Sequence, residues 1–104
     1  MKMAIFYLTC GSEEEADEIS QVLLQKNLIA CAKKIPVTSS FIWRKSINET
    51  NEVLVLFESI EDNFDKVNDE VKKRHIYETY VLFSVPVSKT TKDVEKWLEK
   101  EIKQ

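Results

Sequence analysis

The sequence predicts an α+β fold, with helices laid over one face of an antiparallel sheet, and three observations predict it. An apolar strand-like run is twice followed by a helix-start signature, Ser12 with Glu15 and Ser59 with Asp62. Apolar residues after each signature recur at helical spacing. The long stretch between them, residues 28–58, is β-branched and aromatic with one polar break, the pattern of a hairpin.

Taken in order, residues 3–9 (Met-Ala-Ile-Phe-Tyr-Leu-Thr) form the first strand, which stops at Cys10-Gly11-Ser12, where the chain's one glycine permits a sharp turn. Residues 13–26 form the first helix. Ala16, Ile19 and Leu23 give it an apolar face, and its acidic first turn suits the positive end of the helix dipole. After Asn27 a long second strand runs from Leu28 to Trp43, kinked near Pro36 because proline removes a ladder donor. Residues 44–51 are polar and turn the chain into a third strand over 52–58. Ser59 caps a second helix carrying Phe64, Val67 and Val71 and ending near Arg74. Residues 77–87 read as a fourth strand, and Thr90-Thr91 starts a last helix with Val94, Trp97, Leu98 and Ile102 on its apolar side.

The order βα-β-βα-β-α folds most simply as a ferredoxin-like βαββαβ sandwich with an additional C-terminal helix. At 104 residues, 43% of them hydrophobic and 32% charged, the chain has apolar material for one core, so residues 1–104 read as a single domain. The long central hairpin overhangs such a small sheet and leaves Phe41, Ile42 and Trp43 at an unpaired edge. A second copy of the chain would cover that edge, which predicts a closed homo-oligomer.

Composition excludes several classes. One glycine rules out the phosphate-cradling loops of dinucleotide and P-loop proteins. Cys10 and Cys31, far apart and with no second pair, do not make a zinc ribbon, thioredoxin or iron–sulfur framework. Fifteen basic against 18 acidic residues, net charge −3, give no general attraction to nucleic acid. No apolar run reaches the roughly 20 residues that cross a bilayer, and no secretory signal is readable at Met1-Lys2-Met3-Ala4; the expectation is a soluble, cytoplasmic protein. A lone histidine with no nucleophile elbow gives no catalytic signature, so no enzyme is expected.

Several motifs resemble one family, the CutA divalent-cation tolerance proteins. Leu28-Ile29-Ala30-Cys31-Ala32-Lys33-Lys34-Ile35-Pro36 is similar to its "L-A-A-C-V-N-I-I-P", and Ser40-Phe41-Ile42-Trp43 to its "S-x-Y-x-W". His75-Ile76-Tyr77-Glu78 resembles "H-P-Y-E", with Ile76 in place of the proline; Trp97-Leu98 resembles the end of the family's last helix. The resemblance implies a ferredoxin-like protomer and a homotrimer built through the long hairpin. It also implies a non-enzymatic cytoplasmic role in tolerance of copper and other divalent ions, with no cofactor required. Cys10 and His75 match positions that imply metal contacts.

The residues bear on those contacts. Thiolate and imidazole suit Cu²⁺ or Zn²⁺, and a cysteine just before a helix N-terminus is favoured as thiolate, although Cys10 also reads as a small core residue. Arg74 cannot coordinate a metal. Cys31, flanked by alanines, reads as core, Trp43, Tyr77 and Trp97 as packing, and Glu78 as a cation partner or strand-start carboxylate. A second reading is a trimeric signalling or scaffold module resembling the PII-type regulators. It would bind a small anionic effector in subunit clefts, with Lys33-Lys34 and Lys72-Lys73-Arg74 as its cations.

Overall fold

The computed structural model describes residues 1–102. Its elements are β1 (Met3–Cys10), α1 (Glu13–Gln25), β2 (Cys31–Trp43), β3 (Ser46–Ile60), a single 3₁₀ turn (Glu61–Asn63), α2 (Phe64–Arg74), β4 (Leu82–Pro86) and α3 (Lys92–Glu101). The sheet order is β2-β3-β1-β4 with every neighbouring pair antiparallel, the ferredoxin-like arrangement. Strand alternation sorts β1 cleanly: Ala4, Phe6, Leu8 and Cys10 are fully buried, and Met3, Ile5, Tyr7 and Thr9 face the other way. Register sets Val55 and Phe57 beside Leu8 and Phe6, and this face packs under Ala16, Ile19 and Leu23 of α1 and Val67 and Val71 of α2. Phe6 meets Phe64 edge to face at 5.4 Å.

Among the described residues, the opposite face is covered only at one end. There Leu98 and Ile102 pack on Ile60, Met3 and Ala30, so α3 sits across the sheet from α1 and α2. Val94 joins that contact, whereas Trp97, predicted on the same apolar side, is 37% exposed. Farther along, Tyr7 stacks on Phe83 at 4.9 Å, and Ile35, Phe83 and Val85 stay exposed.

Several predicted features differ, each for a readable reason. β2 starts at Cys31, because Leu28 and Ile29 are buried in the loop that follows Asn27 at φ 57°. β2 also runs through Pro36 without losing register, Pro36 lying opposite Val53; an edge strand tolerates the missing donor. The hairpin turn is only Arg44-Lys45, both left-handed at φ 51° and 67°, a two-residue geometry whose twist matches the strands it joins. The rest of the predicted turn, residues 46–51, instead forms ladder pairs, with Thr38 bonded to Asn51 at 3.2 Å and Ser40 to Glu49 at 3.3 Å. β1 stops pairing with β3 at Cys10–Val53, so residues 37–52 project as a two-stranded ribbon and their polarity reflects exposure. Ser59 does not cap α2. Its hydroxyl donates to the Leu28 carbonyl at 2.6 Å, and the chain enters α2 through the 3₁₀ turn.

β4 is also shorter than predicted, because β1 runs out opposite it. One further bond, from the Thr9 N–H to the Val81 carbonyl at 3.2 Å, continues the pairing, and residues 75–81 carry no ladder.

Glu70 braces the two helices, accepting from Lys26 at 2.9 Å, Arg74 at 2.8 Å and Lys73 at 3.4 Å. Lys26 first and Arg74 next pull its carboxyl down to about 2, against the opposing effect of burial, with Lys73 adding to the pull. The unfolded chain binds a proton near the ordinary value of 4.5 that the folded chain refuses until about 2, so stability present above that window is lost as pH falls through it. Glu70→Gln is expected to flatten the fall of melting temperature with acidification across this range, read by calorimetry at several pH values; an unchanged slope would show that the brace does not govern it.

Candidate functional site

The end of β1, the start of α1 and the segment after α2 meet in one polar cluster. Cys10 enters it by strand parity, since it shares the buried face with Leu8 and Phe6. Ser12 caps α1 by accepting the Glu15 N–H at 3.2 Å. The Glu15 carboxylate reaches back past Ser12: Oε1 accepts the Gly11 N–H at 2.9 Å and Oε2 accepts the Ile76 N–H, 61 residues away, at 2.7 Å. One capping residue thus ties the helix start to the far end of the chain.

His75 follows the last residue of α2, and its side chain is wholly buried. Nε2 donates to the Thr9 carbonyl at 2.8 Å, and Nδ1 accepts the Tyr77 N–H at 3.1 Å. A carbonyl only accepts and an amide N–H only donates, so these partners define a neutral ring with its proton on Nε2. The imidazole lies nearly parallel to Tyr80 at 4.9 Å, and the Tyr80 hydroxyl donates to Asn68 at 2.5 Å. Tyr77 turns the other way and donates to Glu52 Oε2 at 2.7 Å. Its ring explains the lone glycine: a Cβ on Gly11 would stand 3.0 Å from the Tyr77 hydroxyl oxygen. Close approach, rather than a left-handed turn, is what position 11 demands, since its φ is not positive.

Cys10 is not the thiolate that its place before a helix predicts. Burial, then the charges of Glu15 and Glu52, push the thiol up to about 12. Burial and the bond to Glu52 raise the Tyr77 hydroxyl likewise, to about 12. The positive end of one helix does not offset two carboxylates at short range.

The structure brings Cys10 and His75 together and adds Glu15, a residue that sequence reading assigned only to helix capping: their ligand atoms all lie within 4.8 Å of one another. In kind, these donors fit a borderline ion such as Cu²⁺ or Zn²⁺. In state, the cluster is closed by its own hydrogen bonds. Usual Zn–N and Zn–S lengths put tetrahedral ligands about 3.5 Å apart; His75 Nδ1 and Glu15 Oε2 already stand 3.6 Å apart, but the thiol must release its proton and a ring nitrogen must change partner.

Cys31 is not a core residue. Register places it opposite Glu58 on the face away from α1 and α2, where it is half-buried with the Lys33 ammonium 3.4 Å from its sulfur. Trp43 is 42% exposed on the ribbon, and both it and Glu78 line a groove of about 880 Å³. Phe41, Ile42 and Trp43 form one wall of that groove, and Ile76, Tyr77 and Val81 the other. Among the described residues, no helix is long and apolar enough to cross a membrane.

Comparison with known proteins agrees with this architecture. Residues 4–101 match the model of a family described as the CutA1 divalent ion tolerance protein. The divalent-cation tolerance protein CutA of Archaeoglobus fulgidus is 32% identical over 96 residues, covering 92% of this chain and 94% of its own; that of Thermotoga maritima is 31% identical over 100 residues, covering 96% and 99%. The solved A. fulgidus structure, described as periplasmic, superposes with a TM-score of 0.95 over 97% of this chain and 99% of its own, at 31% identity. CutA1 from Oryza sativa reaches a TM-score of 0.96 over 100% of this chain and 96% of its own at 19% identity, a likeness of fold alone. With its motifs, its sheet order and nearly its whole length in agreement, the chain belongs to the CutA1 divalent ion tolerance family.

Proposed function

We propose that the protein serves divalent-metal tolerance as a non-enzymatic, cytoplasmic homotrimer that takes up copper with Cys10 and His75 as contacts. The observation that carries this reading is the convergence of thiol, imidazole and carboxylate within 4.8 Å, from three separate elements, in a chain of this family. Assembly is supported by the two free sheet edges, β2 and β4, and by the exposed Phe41, Ile42 and Trp43 on the ribbon. Joining β2 of one copy to β4 of the next is a head-to-tail contact, which stays finite by closing into a ring. Two unpaired cysteines suit a reducing compartment. Both nitrogens of His75 hold structural hydrogen bonds and the Cys10 thiol keeps its proton, which leaves neither free as base or nucleophile.

Calorimetric titration with Cu²⁺ tests the assignment. Cys10→Ser and His75→Gln are each expected to weaken binding about tenfold or more, since loss even of an outer-shell partner typically costs that much. Wild-type affinity in both variants would sink it.

The anionic-effector alternative is disfavoured by where its cations go. Lys33 pairs with Glu58, Lys34 with Asp17, and Lys73 and Arg74 with Glu70, leaving Lys72 exposed and without an ion pair among the described residues, while Glu49, Glu52 and Glu78 line the groove.

A further inference from the structure

We infer that ion uptake at Cys10, Glu15 and His75 opposes the docking of a second copy in the groove, because both depend on how residues 75–81 are held. This inference rests on the functional reading above and adds a direction of regulation to it.

The segment from His75 to Val81 is fixed almost entirely by side chains. Glu15 accepts the Ile76 N–H, His75 Nδ1 accepts the Tyr77 N–H, and the Tyr77 and Tyr80 hydroxyls reach Glu52 and Asn68. A carboxylate has about four lone-pair sites and can serve an amide and an ion together, whereas a neutral imidazole has one. An ion on Nδ1 therefore takes the lone pair that holds the Tyr77 N–H. An ion on Nε2 forces the ring proton onto Nδ1, where it faces the same N–H donor to donor. Whichever nitrogen binds, the Tyr77 N–H loses its partner, while the Tyr77 hydroxyl keeps Glu52.

Tyr77 is also a wall of the groove, together with Ile76 and Val81 and facing Phe41, Ile42 and Trp43. The occupant that this apolar groove fits is another copy of this chain. The groove is continuous with the free edge of β2, and it presents two strongly exposed apolar side chains, Ile42 at 75% and Ile76 at 74%, alongside exposed polar residues such as Glu49 and Glu78. Docking against a wall that has lost one of its fixings must order that wall further, which weakens association. Linkage makes the effect mutual: a docked copy fixes the wall and lowers ion affinity by the same factor.

Hydrogen exchange and subunit exchange, both on the full chain at one protomer concentration, test this with Zn²⁺ as a redox-silent probe. Zn²⁺ is expected to speed exchange of the Tyr77 amide about tenfold or more. Mixing of isotope-labelled with unlabelled subunits, followed by native mass spectrometry, should speed about fivefold or more. His75→Phe, which keeps a buried ring and deletes the acceptor, should speed both with no ion present. Bound Zn²⁺ with an unchanged Tyr77 amide, or with slower subunit mixing, overturns the coupling and leaves the metal assignment standing. A folded His75→Phe variant with wild-type exchange overturns it too. No uptake of either Zn²⁺ or Cu²⁺ by the wild type, seen in the titrations themselves, overturns both the coupling and the metal reading.

Discussion

Replacing His75 with alanine is expected to cost about 3–4 kcal/mol of folding stability, even with no metal present. The ring is fully buried, so its removal opens a cavity beside Tyr80 and orphans two backbone groups, the Thr9 carbonyl and the Tyr77 N–H. Each buried group left unpaired costs about 1–3 kcal/mol, and a water entering the space returns part of that. Urea denaturation at a fixed protomer concentration measures the loss, since assembly would otherwise shift the midpoint. A loss below about 1 kcal/mol would show that the imidazole does not hold the segment after α2.

Phe6→Ala is expected to cost about 4 kcal/mol. Phe6 sits on the central strand β1, fully buried, with Phe57 opposite it on β3, Ser84 opposite it on β4 and Phe64 edge-on above it. Removing the ring forfeits its buried area and an aromatic pair, and strands held on both sides close poorly over the gap. Ile47→Ala makes the contrast. At 83% exposure on the ribbon, it is expected to change protomer stability by no more than about 0.5 kcal/mol. Thermal unfolding of the two variants side by side checks the difference; comparable losses would mean that the ribbon, not the sheet beneath α1 and α2, carries the fold.

The parts of the fold legible in the sequence are those whose hydrophobic period is local. β1 and α1 can be read because alternation gives way to helical spacing across Gly11. The hairpin is legible as a hairpin and its turn falls at the start of the expected window, 44–51, but the shortness of that turn is not legible. Asn48-Glu49-Thr50 has turn chemistry and lies in a strand, while the actual turn is Arg44-Lys45, a pair that does not announce positive φ. β4 reads too long because Tyr77 and Tyr80 are strand formers; here their hydroxyls are spent on Glu52 and Asn68 instead of a ladder. Cys31 reads as core and is not, since its apolar neighbours do not reveal which face β2 turns toward the helices. At the site, Cys10 and His75 were found through family resemblance. Glu15 was missed because its capping spacing supplies a local explanation, and no local pattern signals an acceptor for an amide 61 residues later.

That shared carboxylate has a consequence for the order in which the chain matures on the ribosome. The first strand and helix can emerge and cap themselves early, yet Glu15 keeps one oxygen without its final partner until residues 75–77 have left the exit tunnel. The opening unit therefore waits on a long-separation contact, the kind that slows folding, and a nascent chain stalled before Ile76 would keep a charged group stranded in what is to become its interior.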